Sequence, residues 1–511
     1  MQVYSLEKSM SASAEILEGL YEFMDGNSRD LQAYEMERAV FSWVMKIGNE
    51  AMRGYFGKKG TGDVGPVLEL EDGRVFKREG KLREKAYFSI FGKFNVPRTC
   101  YRLKGEGGIM PLDAEANLPK RCYSYALQEW MDILGVRDSF NESSITLERL
   151  LGLKVYSNRI EDVNRDSSMS YDQFYAAGEL PDSESEGAIN VTGYDGAGVP
   201  VLKEEKADLK SRLGKGEKRQ KKKEAMVGVS YTIDPKVRKA EDVARNLVYP
   251  QEKKDGSRSK SEDLKPKNIR RMASLERGRE EVIREIAGYA RQRDPENKRP
   301  WVVVMDGALN LWDIVATVLS GIAYVGILDI IHVTEYIWGV ANALHGENTP
   351  KGRAFVYDNL LEILKGRVDG VVCEWEGILE GPKKLKKNQK EALEDAIRYF
   401  KNHRQWMRYD EYLKAGYPIG SGVVESTCGH TVKDRTEGTG KRWSVEGAEG
   451  TLLLRSVYTS NDWDSYWRFH MDLERSFHYH RALAALGIPD DYDELGISEK
   501  HHSDTQMAAA A

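Results

Sequence analysis

Two aspartates follow apolar segments and precede glycine, an arrangement that can place a carboxylate at the end of a β-strand. Asp195 ends "AINVTGYD" and Asp306 ends "WVVVMD". Asp-Gly is also a common turn dipeptide, so a strand leading into a turn explains either pair alone. Two carboxylates brought together, however, repel each other unless a cation lies between them. Mg²⁺ suits such a pair, because it binds oxygen ligands and leaves room for water and substrate phosphates.

A third acid that could complete this site is Glu425, in "YPIGSGVVES". Pro418 and the glycines form a tight entry, Ser421 is a candidate N-cap, and Glu425 falls in the first turn of the following helix. Alone, Glu425 is explained by the favourable interaction of an acid with the N-terminal end of a helix dipole. Together with the two Asp-Gly pairs, it favours a metal site.

The elements that would position these acids are read from apolar periodicity. The first two predicted strands form a hairpin, and the basic run before the third strand is a connecting loop. Three hairpin-connected strands followed by strand–helix–strand crossovers favour a mixed sheet with helices on its faces. The predicted class is α/β (mixed α+β) with an RNase H-like core, in which the first and fourth strands are neighbours. The predicted core strands are 188–196, 199–204, 224–234, 301–305 and 323–331, with a helix at 267–292 and charged, irregular chain at 235–266.

The N-terminal part has a different pattern, of helices around two short strands that turn near Gly92. Residues 139–163 have the layout of a helix-turn-helix, with a stop at Gly152 and a second helix capped by Ser157. Two packed helices of this kind are more often plain structure. The predicted regions are a helical region (1–84), a strand hairpin with the helix-turn-helix (85–175), the core (186–332 and 417–485) interrupted by a helical insertion (333–416), and a C-terminal tail (486–511).

The 511 residues carry a net charge of −5, which alone argues weakly against nucleic-acid binding. Basic residues nevertheless concentrate at 210–223, 268–279 and 383–390. Such runs are usually solvated faces, but three of them in an acidic chain favour a groove for a polyanion. The candidate DNA-binding residues in these runs are Lys215, Lys218, Arg219, Lys221, Lys222, Lys223, Arg270, Arg271, Lys383, Lys384, Lys386 and Lys387.

Location is predicted from what the sequence lacks. It has no apolar run of membrane-spanning length and no signal-peptide pattern. Its four cysteines are widely spaced and suggest no disulfide framework, so a reducing cytoplasm is expected.

Four segments resemble the successive motifs of DDE insertion-sequence transposases of the ISKra type: "VVVMDGALNLW", "ILDIIHVTEYIW", "YPIGSGVVES" and "GKRWSVEGAEGTLLLRS". The likeness covers about residues 85–470 and is densest between 301 and 470. It implies that Asp195, Asp306 and Glu425 are the catalytic triad and the metal ligands. It also implies that Asp329 and His332 form the Asp-x-x-His element near the site.

The resemblance implies DNA cleavage followed by strand transfer, with two Mg²⁺ ions about 4 Å apart and Mn²⁺ as a substitute. His332 is open to two interpretations, a structural histidine bonded to backbone or a direct catalytic role. The preference of Mg²⁺ for oxygen argues against His332 as a ligand. Many relatives have a cysteine set after the "VPRxxYR" strand, whereas only Cys100 lies nearby here. A structural zinc is therefore unsupported.

The implied partners are the terminal inverted repeats of the element and target DNA, with no membrane. The N-terminal part would recognise the ends, and the protein would act on DNA as a homodimer or larger assembly in a prokaryotic nucleoid. Arg435 and Arg442 match a segment in which arginines can hold phosphates. Trp443 could stack on an unpaired base, although core packing is the favoured explanation.

Alternative functions share some of these features. Another RNase H-like, metal-dependent nuclease would have the acids without strand transfer, and a domesticated DNA-binding derivative of a transposase would lack the chemistry. An aspartyl phosphoryl-transfer enzyme would need a second acid two residues after Asp195 or Asp306. Ala197 and Ala308 occupy those positions, which argues against that class.

Overall fold

A computed structural model describes residues 4–27, 29–178, 180–202, 222–250, 265–382, 384–438 and 441–490. The chain divides into two compact units. One comprises Met1–Gly178 with Asp462–Ala511, and the other is Glu179–Asn461. Within the described residues, no helix is both long and apolar enough to cross a membrane.

The elements alternate between helical and strand-rich stretches along the chain. The strands are β1 (Val67–Glu69), β2 (Val75–Arg78), β3 (Arg83–Ser89), β4 (Gly92–Arg98), β5 (Tyr101–Arg102), β6 (Ile189–Pro200), β7 (Lys222–Ile233), β8 (Lys267–Ser274), β9 (Trp301–Met305) and β10 (Val325–Leu328). The helices are α1 (Leu6–Asn27), α2 (Ala33–Lys59), α3 (Pro111–Glu115), α4 (Tyr125–Arg137), α5 (Phe140–Leu151), α6 (Ser157–Ser168), α7 (Tyr171–Ala177), α8 (Ala240–Val248), α9 (Arg279–Arg293), α10 (Leu309–Val318), α11 (Ile330–His345), α12 (Pro350–Leu364), α13 (Val368–Glu380), α14 (Lys387–His403), α15 (Tyr409–Ala415), α16 (Gly422–Thr427), α17 (Asp434–Thr436), α18 (Val445–Ser460) and α19 (Trp463–Ala485).

The larger unit is built on a five-stranded sheet with the order β10-β9-β6-β7-β8. The strands β6, β7 and β8 pair antiparallel, whereas β9 pairs parallel with both β6 and β10. This strand order confirms the predicted RNase H-like core, with the first and fourth core strands side by side. Every residue of β9 is buried, as expected for a parallel strand covered on both faces.

Both faces of this sheet carry an apolar layer of helices. One cluster joins Val191, Val302 and Val304 to side chains of α11 through α15. The other joins Val303 and Met305 to α9 and α10. The alternation of β9 side chains between the two clusters anchors this strand and the acid that follows it.

Two sequence predictions within this unit were wrong. The expected hairpin of 188–196 and 199–204 is one continuous strand, β6, because β7 pairs with it along its whole length from Ile189↔Ile233 to Pro200↔Lys222. The expected helix at 267–292 begins as strand β8, and the helical part α9 starts only after Gly278. Both errors have one cause. Pairing with a strand elsewhere in the sequence determined the structure of these segments, and their local sequence pattern did not. The stretch expected to be irregular contains α8.

The smaller unit holds the N-terminal helices, two short sheets and the predicted helix-turn-helix region. The strands β3 and β4 form a hairpin that turns at Gly92, as predicted. Helix α5 ends at Gly152, whose φ of +64° is the left-handed conformation that favours glycine, and α6 follows. The N-cap of α6 is Tyr156 rather than Ser157. Leu127, Leu147 and Ile160 join α4, α5 and α6 in one apolar cluster.

Candidate metal centre

Asp195 lies inside β6 rather than at the strand end that the sequence predicted, because β7 pairs with β6 beyond it, whereas Asp306 directly follows β9 as predicted. The last paired residues of β6 and β9 are Thr192 and Val303. Asp195 and Asp306 are each three residues further along the chain than this last pair. Burial raises the pKa of Asp195 most, and the two carboxylates are close enough for the charge of Asp306 to raise it further.

Asp329 extends this row of acids to the third parallel strand. Leu328 pairs with Met305, and the backbone N–H of Asp329 donates to the Met305 carbonyl at 2.8 Å. The Asp329 carboxylate is fully buried and caps α11, accepting from the Ile331 N–H at 2.7 Å. Its other oxygen accepts from the hydroxyl of Ser421. Asp329 therefore ties the end of β10 to the turn before α16.

Helix α16 brings Glu425 to these strands because β6 has glycine at the point of contact. A Cβ atom on Gly193 would overlap Val424 and lie 2.8 Å from the carbonyl oxygen of Val304. Any larger residue would push α16 away from the sheet. Ser421 lies at the N-cap position but its side chain caps nothing. Instead, its hydroxyl contacts Asp329 and lies 3.3 Å from an oxygen of Glu425.

Three of these residues could hold a metal ion together. The ligand atoms of Asp329, His332 and Glu425 all lie within 4.8 Å of one another. The Nε2 atom of His332 is 3.9 Å from Glu425 Oε1, and its Nδ1 atom is 3.1 Å from the Glu335 carboxylate. His332 thus contacts two carboxylates. This group contains Glu425 of the predicted triad but neither Asp195 nor Asp306, and it includes His332, which the sequence analysis argued against as a ligand.

The electrostatics of the site favour a bound cation. Burial raises the pKa of the Asp195 carboxyl, and the nearby charge of Asp306 acts in the same direction. Hydrogen bonds from the Gly196 N–H and the Cys428 thiol, together with His332, oppose this increase only in part. A divalent ion would relieve the repulsion between the acids. The donors are mostly carboxylate oxygens, which suits Mg²⁺ or Mn²⁺.

Cys428 is a site residue that sequence reasoning missed. Its thiol donates to Asp195 Oδ2 at 3.3 Å, and burial raises the pKa of the thiol. Cys428 begins a π-helical turn, Cys428–Lys433, that continues α16. A buried arginine, Arg455, donates to the carbonyls of Thr431 and His430 in this turn. No local sequence pattern predicts a π-helix, although π-helical turns are frequent at functional sites.

An aromatic stack flanks Asp306 on the side of the helical insertion. The ring of Tyr399 stacks on Tyr336 with centroids 3.9 Å apart and lies 4.2 Å from the ring of His403. Gly307 permits this arrangement, since a Cβ atom there would overlap the Tyr399 ring. His403 Nε2 lies 2.8 Å from the Gly307 carbonyl oxygen. The turn after Asp306 is therefore held by α14, and Tyr336 follows His332 by one turn on α11.

The predicted DNA-binding residues fall into three groups. Lys222, Lys223, Lys384, Lys386, Lys387 and Arg442 are exposed. Arg270 is buried against Glu285, Arg271 donates to the Thr459 carbonyl, and Arg435 lies buried with its guanidinium 4.4 Å from the ring centroid of the buried Trp443. Lys215, Lys218, Arg219, Lys221 and Lys383 lie outside the described residues.

Comparison with known proteins adds little to this geometry. No family model matches the chain, and no curated protein matches it. Among solved structures, the chain is similar to the "Drosophila P element transposase strand transfer complex", with 8% identity, 73% of this chain and 85% of that chain covered, and a TM-score of 0.23. A likeness that low carries no argument, so the RNase H-like assignment rests on the strand order and register.

Proposed function

We propose that this protein is a DDE transposase of the ISKra type, which cleaves DNA at the ends of an insertion sequence and joins those ends to target DNA. One observation carries the proposal: Asp195 in β6 and Asp306 after β9 are each three residues beyond the last pair of two adjacent parallel strands, where Gly193 lets α16 bring in Glu425. Acids at these positions of an RNase H-like sheet suit metal-assisted phosphodiester chemistry. The motif resemblance supplies the transposase class.

In this proposal Asp195, Asp306 and Glu425 hold the catalytic Mg²⁺, with Mn²⁺ as a substitute. When bound, the metal activates the attacking oxygen and stabilises the charge that develops on the leaving oxygen. The roles of the other residues follow from their contacts. Ser421 and Asp329 fix the turn from which α16 starts, and Cys428 orients one oxygen of Asp195.

We also propose a division of labour along the chain. The lysines at the start of β7 and before α14 would contact phosphates, because their side chains are exposed to solvent. The α4–α6 cluster, with its helix-turn-helix layout, would recognise the ends of the element. Base contacts would provide selection and phosphate contacts most of the affinity.

The experiment that tests the function uses DNA carrying the inverted repeats that flank the gene. The full-length protein is incubated with this DNA and Mg²⁺, and the 3′ ends produced are mapped. Asp306→Asn should abolish cleavage but leave DNA binding unchanged. The matched control is Asp313→Asn, an exposed acid on α10 that should cut normally. Normal cutting by Asp306→Asn would refute the assigned site.

A simple nuclease of the same fold is the second candidate, because the acid geometry by itself does not require strand transfer. Pre-cut element ends with a free 3′-OH, mixed with target DNA and Mg²⁺, separate the two functions. A transposase joins these ends to the target. Cleavage in the first assay without joining in the second would assign the nuclease.

A further inference from the structure

The N-terminal helices α1 and α2 form an antiparallel hairpin that buries very little of its own surface. In the half nearest the turn, residues 10–27 and 33–47, Leu20 is the one described residue that is buried. Trp43 contacts Gly19 across the two helices, at 3.1 Å from an added Cβ position. An isolated helix pair with so little core is marginal in water, since most helical stability comes from packing an apolar face.

Large apolar side chains instead project from this half of the hairpin into solvent. Met10 and Tyr21 on α1 are each 64% exposed, as is Tyr34 on α2. Phe41 and Val44 on α2 are each 49% exposed. Contiguous exposed apolar surface on a protein usually marks an interaction site.

The spacing of these residues identifies the shape of the partner. On α1, Met10, Leu17 and Tyr21 are separated by seven and four residues. On α2, Tyr34, Phe41 and Val44 are separated by seven and three residues. At 3.6 residues per turn each set forms one stripe along its helix. Stripes with heptad spacing bind other helices, because each side chain fits between side chains of the facing helix.

The charges of the two helices identify which helices would fit. Within residues 10–27, α1 has four acidic residues and no basic one, whereas α2 has two acidic and two basic residues within 33–47. Packing α1 against a second α1 would oppose two strongly acidic helices. Packing α1 against the α2 of a second copy avoids this repulsion and offers the acids of α1 the cations Arg38 and Lys46, twice in a two-fold dimer. The acidic α1 also disfavours an anionic membrane surface.

We propose that the α1–α2 hairpin is a homodimerisation module, in which two hairpins form a four-helix bundle with α1 of each copy against α2 of the other. Two-fold closure buries both stripes of both copies, so no apolar stripe is left over to continue the assembly. This dimer forms without DNA, and it depends on neither the metal site nor the proposed transposase activity.

Sedimentation equilibrium of the full chain without DNA tests the proposal. The unchanged protein should be a dimer, and the double variant Leu17→Ser/Phe41→Ser should raise the dissociation constant at least about tenfold. The matched control is Ile145→Ser/Leu150→Ser, which removes two exposed apolar residues from another helix of the same unit, α5. A monomeric unchanged protein, or an equal loss of dimer in the control, would overturn the proposal.

Charge reversal tests the pairing even if the serine variant folds poorly. One variant carries Glu15→Lys, Glu18→Lys and Glu22→Lys, and the other carries Arg38→Glu and Lys46→Glu. Each alone should dimerise at least about tenfold more weakly, because α1 and the partner's α2 then have like charges. An equimolar mixture should restore a dimer of one variant with the other. A mixture that associates no better than its components contradicts the α1-to-α2 arrangement.

Discussion

The two compact units each bury a carboxylate, and they stabilise it in different ways. Asp132 in α4 is fully buried, and one of its carboxylate oxygens accepts a hydrogen bond from the side-chain amide of Asn164 at 3.3 Å. Burial raises its pKa to about 8. Asp195, on the central strand β6, is less deeply buried, and the charge of Asp306 and the thiol of Cys428 both act on it. A buried acid without a nearby cation keeps its proton, whereas clustered acids suit a bound cation.

The largest predicted effect is the difference in DNA cleavage between the variants in which each of these two acids is replaced by its amide. Asp195→Asn should reduce DNA cleavage by about 10³-fold or more, because metal stabilisation of the transition state is worth several kcal/mol. Asp132→Asn should leave cleavage at neutral pH within about twofold, since that acid is already protonated there. Single-turnover cleavage with saturating Mg²⁺ measures both. Equal losses would remove the distinction between the two acids.

A smaller loss is expected from Ser421→Ala, which removes the hydroxyl between Asp329 and Glu425. Residues that orient metal ligands typically contribute 10–100-fold to activity or metal affinity. The Mn²⁺ concentration needed for half-maximal cleavage should rise within that range. Ser421→Thr keeps the hydroxyl and should retain more activity than Ser421→Ala. An unchanged metal requirement in both variants would show that the hydroxyl does not position the site.

Packing of α16 on the sheet should respond to Gly193→Ala. The added methyl group overlaps Val424 and approaches the Val304 carbonyl oxygen, so we expect a loss of about 1–3 kcal/mol in the free energy of unfolding. Cleavage should fall as well, because Glu425 moves with α16. The matched control is Gly339→Ala in α11, where nothing lies within 4 Å. It should stabilise the protein by up to about 1 kcal/mol in urea unfolding.

The comparison of the two buried acids also predicts a pH dependence of stability, contributed by Asp132. Its folded-state pKa, about 8, lies above the ordinary value of 3.8. Its contribution to stability is therefore complete below about pH 4 and is lost as the pH rises through 8, at up to about 1.4 kcal/mol per pH unit. Asp132→Asn should flatten this part of the urea-unfolding profile. A profile identical to that of the unchanged protein would show that ionisation of Asp132 does not lower the free energy of unfolding.

The fold class could be predicted because its signals are local and strong. The apolar run 301–305 and the strand order before and after it define a mixed sheet, and Asp306 was placed at a strand end by the residues around it. The boundaries of β6 and β8 could not be predicted in the same way. Their pairing partners lie in β7, and a strand with glycines or arginines looks like a turn or a helix until that partner is known.

By itself, the sequence determined the class of the sheet and the order of its strands, because apolar periodicity is encoded residue by residue; the catalytic role of Asp195, Asp306 and Glu425 stays a prediction. Only the tertiary structure decided that Asp329 and Ser421 form a buried pair, that a π-helical turn places Cys428 on Asp195, and that Arg270 and Arg435 lie inside the fold. These contacts join residues up to 233 positions apart. Their geometry depends on strand register and helix packing, which no short stretch of sequence specifies.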